Sequence, residues 1–301
     1  MDDKPIIQCK NINLSFKEKQ VLNNINITIS KGEVFGLLGP SGAGKTSLLK
    51  VLTGQLLPSQ GEAKIEECLS TAFNFDIYNE LGIDLEDCGL FQRLSCYSNL
   101  KIIAMIHDIK LKQIDYWLER VGLADARNVS ANKLSKGMSQ RLSFVRSIIH
   151  SPHILFLDEP TSALDPVSTK KIHDIILELR NNGTTIIIAT HDMQEAYNLC
   201  DNVALINHGK MIEYGNPHEI CKKYNENNHI ILKLKNGEEK EYSWDDKDIN
   251  EIVQQLKANN VATINSTDTS LEDVFILLTG EELNVCGSCR SRWFRRCGLP
   301  I

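Results

Sequence analysis

Residues 39–46, Gly39-Pro40-Ser41-Gly42-Ala43-Gly44-Lys45-Thr46, fit G-x-x-x-x-G-K-[ST], the pattern of a phosphate-binding loop, and are the most informative segment of this chain. The glycines let the backbone turn tightly, so that successive N–H groups point inward around an anion. The lysine ammonium meets the β- and γ-phosphates of a bound nucleotide, and the threonine hydroxyl is a ligand for Mg²⁺. The alternative is a glycine-rich turn that fits the pattern by chance.

The residues on either side of the loop favour phosphate binding over a chance match. The apolar run 34–38 before it predicts a buried strand, and residues 47–52 after it predict a helix. The N-terminal end of that helix directs its dipole toward the phosphates. The sequence therefore predicts a loop that binds a nucleoside triphosphate.

The overall composition is ordinary for a globular protein and excludes several classes. The 301 residues are 42% hydrophobic and 24% charged, and a formal net charge of −6 gives no reason to expect a nucleic-acid partner. No apolar run approaches the roughly 18–20 residues that cross a bilayer, and the polar start is unlike a signal peptide. Nine cysteines, an odd and mostly scattered set, favour reduced thiols in the cytosol. Any membrane role is expected to come through a partner.

Two further apolar runs end in side chains that can do chemistry. The run 154–157 predicts a central parallel strand and ends in Asp158 and Glu159, and ligands bind beyond the carboxyl ends of such strands. Asp158 can hold Mg²⁺ while Glu159 orients and polarises the attacking water. A solvated acidic turn is the alternative. The predicted strand 184–189 is followed by Thr190-His191, and we expect this histidine to contact the γ-phosphate.

Helical patterns fill the middle of the chain. Residues 93–133 carry apolar side chains at helical spacing. Leu134-Ser135-Lys136-Gly137-Met138 opens another helix, whose serine and glycine predict a second anion site. Residues 6–30 alternate as strands do, and Phe16 among them either stacks on a nucleobase or packs in the core. Residues 62–91 show no clear period.

The order of these motifs resembles the ATP-binding subunit of ABC transporters over residues 6–222. The phosphate loop, Gln92 in Leu90-Phe91-Gln92, the signature 134–138, the acidic strand end and His191 all match in sequence. Ser162-Ala163-Leu164-Asp165 is similar to the family's dimer-contact loop, although Asp165 also suits a helix cap. The signature carries lysine and methionine where glycine and glutamine are usual, and Phe16 replaces the usual tyrosine.

The resemblance implies an α/β fold, that of a P-loop NTPase. Its expected parts are a mostly parallel core sheet, an antiparallel β-subdomain and a helical signature subdomain at about 93–150. It implies that two subunits, identical or different ABC ATPases, pack head to tail, with each ATP between the loop of one and the Ser135 helix of the other. It also implies a multi-span permease partner, which would hold the chain at the cytoplasmic face of the cell membrane.

Roles for individual residues follow from the same resemblance. It assigns Glu159, His191 and Gln92 to catalysis, and Gln92 also reports the γ-phosphate to the permease. It assigns Mg²⁺ to Thr46, Gln92 and Asp158. The residues that it assigns to ATP are Phe16, Gly39, Pro40, Ser41, Gly42, Ala43, Gly44, Lys45, Thr46, Ser47, Ser135 and Gly137.

The C-terminal part predicts a small α+β domain over 223–283. Asn236-Gly237 between two apolar-rich runs predicts a hairpin, whose second strand carries Tyr242 and Trp244. A capped helix at 271–278 is similar to the last helix of ATPases that export drugs, peptide antibiotics and polysaccharides. The basic tail 284–301, with three cysteines, is expected to be disordered or to lie on a membrane surface. A zinc site and a redox pair are the alternatives.

Three other functions remain as alternatives to an exporter ATPase. An importer ATPase would share every motif. A non-transport ABC ATPase would act on DNA or the ribosome, but this chain has one cassette and no long insertion between the loop and the signature. A P-loop kinase would make the signature helix a coincidence.

Overall fold

The computed structural model describes residues 5–85, 89–225, 229–243, 246–266 and 269–281. The chain forms two compact units, and the boundary between them lies after Asn216. The sequence predicts this boundary at residue 222. In the structure it lies six residues earlier, so the helix that begins at Pro217 belongs to the second unit. Within the described residues, no helix has both the length and the apolar character that a membrane span requires. The predicted tail 284–301 and Trp244 lie outside the described residues.

The first unit contains ten strands and seven α-helices among its described residues. The strands are β1 (Ile7–Phe16), β2 (Lys19–Ile29), β3 (Val34–Leu38), β4 (Gln60–Ile65), β5 (Cys68–Leu69), β6 (Leu81–Asp84), β7 (Ile154–Asp158), β8 (Thr185–Thr190), β9 (Asn202–Asn207) and β10 (Lys210–Gly215). The helices are α1 (Lys45–Leu52), α2 (Phe75–Glu80), α3 (Cys96–Ile106), α4 (Lys112–Arg120), α5 (Lys136–Ile148), α6 (Pro166–Asn181) and α7 (Met193–Leu199).

The central sheet brings the predicted functional segments to one edge. Its strand order is β10-β9-β3-β8-β7-β6, and all neighbours are parallel except β9 and β10. In this register Leu38 pairs with Thr190, and Asp158 pairs with Ala189. The phosphate loop, the acidic pair and His191 therefore follow the carboxyl ends of three adjacent strands, where ligands of such sheets bind.

The sequence predicts β3, β7 and β8 of this sheet but not β6, β9 or β10, and β6 gives the weakest signal. The strand β6 lies within 62–91, where no period is visible, because a strand of four residues is too short to show one. It forms the edge of the sheet next to β7. Its last residue, Asp84, is buried.

A second, antiparallel sheet has the order β2-β1-β4-β5 and confirms the predicted strands at 6–30. Phe16 ends β1 opposite Lys19, the first residue of β2. Its side chain is 48% exposed. The core alternative for Phe16 is therefore wrong, and the ring is accessible at the end of this sheet.

The helices α3, α4 and α5 form the helical region that the sequence predicts at about 93–150. Ser95 caps α3, Ser135 caps α5 and Asp165 caps the following helix α6. In each case a side-chain oxygen accepts backbone N–H bonds. The buried Asn99 amide bonds to backbone groups of Phe91, Leu94 and Ser95, and so fixes the turn that precedes α3.

The second unit is a small α+β structure with a core of its own. Its elements are α8 (Pro217–Lys223), β11 (His229–Leu234), β12 (Glu239–Ser243), α9 (Asp246–Lys257), β13 (Val261–Ser266) and α10 (Leu271–Thr279). The hairpin β11–β12 and the capping box of Ser270 with Asp273 are confirmed, whereas β13, which completes the sheet β12-β11-β13, is not predicted. The core contains Ile230, Leu232, Leu234, Tyr242 and Ile252.

Candidate functional site

The phosphate loop connects β3 to α1 and needs glycine at both of its ends. Gly39 has φ +154°, and a Cβ there would lie 2.1 Å from the backbone oxygen of Ile206. Gly44 has φ +110°, and a Cβ there would lie 2.9 Å from Leu22 Cδ2. Any side chain at either position would push the loop away from its neighbours, so the motif's glycines fix its curvature.

Lys45 lies inside this curve with its ammonium group held by the loop itself. Its Nζ donates to the backbone oxygen of Gly39 at 2.6 Å and of Pro40 at 3.2 Å. The side chain is 6% exposed, and burial lowers the pKa of the ammonium, while the nearby carboxylates of Glu159 and Asp158 act in the opposite direction. The loop thus holds a desolvated positive charge where the phosphates of a nucleotide would lie.

Thr46 and Asp158 form the pair that could hold a magnesium ion. The Thr46 hydroxyl donates to Asp158 Oδ2 at 2.7 Å, so α1 and β7 bring two oxygen donors together beside the loop. Mg²⁺ prefers oxygen ligands and is usually held by one or two protein groups together with substrate phosphates. The donor set therefore fits the predicted metal.

Glu159 follows β7, and its carboxylate lies between the side chains of His191 and Lys45. Its Oε2 lies 2.7 Å from His191 Nδ1, and its Oε1 lies 3.7 Å from Lys45 Nζ. Its backbone has φ +51°, a left-handed conformation that is uncommon for glutamate, and its N–H donates to the Ala189 oxygen at 2.8 Å. The structure thus brings together three predicted groups from β7, β8 and α1.

A cavity of about 540 Å³ opens over these groups. Eight of the predicted residues line it, namely Ser41, Gly42, Gly44, Lys45, Thr46, Ser47, Asp158 and Glu159. Five residues that the sequence does not assign to the site also line it, namely Lys19, Gln20, Val21, His208 and Gly209.

The unpredicted wall comes from the start of β2 and the turn between β9 and β10. Gly209 N–H donates to the Ala43 oxygen at 2.9 Å, and Asn23 N–H donates to the Gly209 oxygen at 2.8 Å. These bonds hold the turn against the phosphate loop. The only signal in the sequence is His208-Gly209 between two strand-like runs, which predicts a turn but not its position at the site.

Several predicted residues lie outside the cavity lining. Ser135 caps α5, where its hydroxyl accepts the Met138 N–H at 3.2 Å. Gly137 lies on the same first turn against the backbone of Ala163, whose oxygen would be 2.7 Å from an added Cβ. Gln92 is exposed in the turn before α3. His191, Gly39, Pro40, Ala43 and Phe16 are also outside the lining. The assignment of every predicted site residue, inside or outside the lining, to ATP, metal or catalysis stays a prediction.

Gln140 on α5 is a further residue that the sequence does not single out. Its side-chain amide donates to the backbone oxygen of Glu159, and its Oε1 accepts the Ala163 N–H at 3.2 Å. No sequence pattern reveals this contact, because α5 and the turn after β7 meet only in the folded chain.

Comparisons with known proteins agree with this geometry. The family model described as "ABC transporter" matches residues 22–162. A fluoroquinolones export ATP-binding protein of Mycobacterium tuberculosis is 38% identical over 87% of this chain and 88% of its own length. A lantibiotic transport ATP-binding protein of Streptococcus pyogenes is 33% identical over 69% of this chain and 89% of its own.

Solved structures give the same result. The cbiO1 structure from Clostridium perfringens, described as part of an ABC transporter complex, has a TM-score of 0.62 at 30% identity over 72% of this chain and 90% of its own. A dimeric ATP-binding cassette bound to ADP and phosphate has a TM-score of 0.65 at 24% identity over 70% of this chain and 98% of its own, and shows the fold alone. The chain therefore belongs to the ABC transporter family, as an ATP-binding subunit with ATPase activity.

Proposed function

We propose that this subunit hydrolyses ATP to drive export through a membrane permease, and that Glu159 is the group that polarises the attacking water. The observation that carries the proposal is the position of the Glu159 carboxylate at the cavity, between His191 and Lys45. A carboxylate there can accept a proton from water while the Lys45 charge stabilises the phosphates. Thr46 and Asp158 would hold Mg²⁺, which neutralises phosphate charge when bound.

Pairing of two subunits accounts for the residues that lie outside the cavity. Ser135 is exposed at the N-terminal end of α5, a position that suits a phosphate of the neighbour's ATP. Its oxygen accepts one bond from within its own helix and keeps its proton for donation to that phosphate. The head-to-tail arrangement, with a second copy or a different ABC ATPase, explains why this serine is not part of its own chain's cavity.

The permease partner is supported by apolar side chains on the helical region. Met105 at the end of α3 is 70% exposed, and Ile106, Leu111 and Phe91 are also exposed. An apolar surface of this kind suits docking to a membrane subunit at the cytoplasmic face of the cell membrane. Gln92 lies next to Phe91 in the chain, and this position supports a role in reporting the state of the nucleotide to the permease. The names of the export relatives support the direction of transport.

The substitution Glu159→Gln tests the chemistry. It keeps the size of the side chain but removes the carboxylate, so we expect ATP turnover to fall by roughly 10²-fold or more. ATP binding should persist, because the Lys45 loop is unchanged. Phosphate release measures turnover, and equilibrium titration with a fluorescent ATP analogue measures binding.

The matched control is Glu119→Gln, the same change on the exposed face of α4. It should leave turnover at the wild-type level. Near-normal hydrolysis by the Glu159→Gln protein would remove Glu159 from the proposed role.

A further inference from the structure

The side chain of Gln140 on α5 forms hydrogen bonds to both ends of the turn 159–163, which follows β7. Its Nε2 donates to the backbone oxygen of Glu159, and its Oε1 accepts the N–H of Ala163. Only this orientation of the amide satisfies both partners, because the reverse would face oxygen with oxygen and N–H with N–H. The Gln140 side chain therefore holds the Glu159 carbonyl and the Ala163 N–H at fixed positions relative to α5.

The first of these groups belongs to a peptide whose conformation needs support. Glu159 has φ +51°, a left-handed conformation that is unfavourable for a residue with a side chain. Its N–H is held by the Ala189 oxygen on β8, and its carbonyl accepts from the Gln140 amide and, at 3.3 Å, from the Ser162 N–H. With hydrogen bonds at both its N–H and its carbonyl, the backbone of Glu159 directs the carboxylate toward His191 and Lys45.

The second group ties the same amide to the loop 162–165. The oxygen of Ala163 would lie 2.7 Å from a Cβ at Gly137, so the first turn of α5 packs directly on this loop. Gln140 is about one and a half helical turns beyond Ser135 on the same rigid element. A shift of α5 against the loop would therefore move the hydrogen-bond partner of Glu159.

We propose that Gln140 is a positioning residue for hydrolysis, which sets the Glu159 backbone and couples it to α5. This inference rests on the proposed function, because it assumes that Glu159 polarises water and that Ser135 faces the neighbour's ATP. In such a pair, the amide connects one ATP site, entered by Ser135, to the other site, served by Glu159. Binding of nucleotide at the first site then changes the position of Glu159, and with it the rate of hydrolysis, at the second.

The test uses Gln140→Glu in the full-length chain. The charged carboxylate keeps an acceptor for Ala163 N–H but opposes the Glu159 oxygen, so we expect kcat to fall roughly 10- to 100-fold, as for a misplaced catalytic group. The affinity for ATP should be unchanged, because Gln140 does not line the cavity. Gln113→Glu, the same change on the exposed face of α4, should have wild-type kcat and affinity. Wild-type kcat in the Gln140→Glu protein would overturn the proposal.

The pH profile separates positioning from general damage. When it is protonated, the carboxyl that Gln140→Glu introduces can donate to the Glu159 oxygen and accept from Ala163, as the amide does. The ratio of variant to wild-type kcat should therefore rise as the pH is lowered from about 8 to about 6, because burial and the facing oxygen both favour the protonated form. Glu159, His191 and Lys45 are present in both proteins, so the ratio isolates the effect of the introduced carboxyl. A ratio that is flat or falls with decreasing pH would contradict positioning.

A double variant distinguishes failure of this proposal from failure of the proposed function. If Gln140 acts through Glu159, adding Gln140→Glu to Glu159→Gln should cause little further loss of the residual turnover. A fully additive loss would assign Gln140 an effect independent of Glu159 and overturn the coupling. Full turnover in Glu159→Gln alone would instead reject the proposed function. Thermal melting of each protein confirms that the comparison is between folded chains.

Discussion

Asp84 is a single residue whose burial, next to the strand that carries Asp158, disfavours the ionised form of its carboxyl. Its side chain ends β6 with 7% of its surface exposed, and Ser143 on α5 donates to it at 2.5 Å. Burial raises the pKa of Asp84 to about 6, although the Ser143 hydrogen bond and the Arg146 charge lower it. The folded chain therefore holds a proton on this carboxyl more tightly than the unfolded chain does.

The sign of the stability effect follows from this proton. Between the ordinary pKa of 3.8 and about 6 the folded state binds more protons than the unfolded state, so stability falls as pH rises through this range. Above it the full cost is present, up to about 3 kcal/mol for a shift of this size. Asp84→Asn should thus raise the free energy of unfolding at pH 8, and the gain should disappear near pH 4. Urea denaturation at the two pH values measures it.

Asp125→Asn, an exposed substitution in the short 3-10 helix Ala124–Ala126 after α4, is the matched control and should change stability little at either pH. A loss of stability in Asp84→Asn at pH 8 would show that the carboxylate's attraction to Arg146 outweighs its burial.

At the scale of elements, the parts that were predicted are those whose signal is local. The phosphate loop between strand and helix, the start of α5 at residues 134–138, the Asp165 cap and the Asn236-Gly237 turn each depend on neighbouring residues. The parts that were missed depend on segments far apart in the chain. The turn at His208-Gly209 becomes a cavity wall only when β9 pairs with β3, and Gln140 meets Glu159 only when α5 packs beside β7.

The two helices with predicted phosphate contacts, α1 and α5, should contribute to different chains' ATP. Lys45 at the start of α1 lines its own cavity, so Lys45→Ala should weaken ATP binding by a dilute monomer roughly tenfold or more, as expected for a charged hydrogen bond. Ser135 at the start of α5 lies outside that cavity, so Ser135→Arg should leave the monomer's affinity unchanged and block pairing. Titration in dilute protein measures affinity, and size-exclusion chromatography with ATP measures pairing.

Ser135→Ala is the control for bulk, because it removes the hydroxyl without adding a side chain that blocks closure. A drop in monomer affinity for Ser135→Arg as large as that for Lys45→Ala would place the serine in its own chain's site and reject the shared arrangement.

At the scale of the whole molecule, the chain divides into two units with separate hydrophobic cores. The core around the two sheets of the first unit ends with residues of β9 and β10, whereas the second core begins at Ile230. Every residue that lines the ATP cavity belongs to the first unit. None of the described residues of the second unit lines the cavity.

A chain that ends at Asn216 should accordingly fold and bind ATP with the affinity of the full chain. Its expected stability comes from the intact first core. Circular dichroism and nucleotide titration measure folding and binding, with Lys45→Ala in the shortened chain as the non-binding control. Loss of ATP affinity in a folded, shortened chain would show that the cavity depends on the second unit.

The left-handed backbone at Glu159 lowers folding stability, while the proposed role of its carboxylate requires this residue for hydrolysis. Glycine or asparagine would adopt this conformation at lower energy, so selection for stability alone would remove the glutamate. We therefore expect glutamate to be kept at this position only where turnover is under selection. A lineage that kept the cassette merely to bind nucleotide would be expected to lose this acid before it lost the phosphate loop.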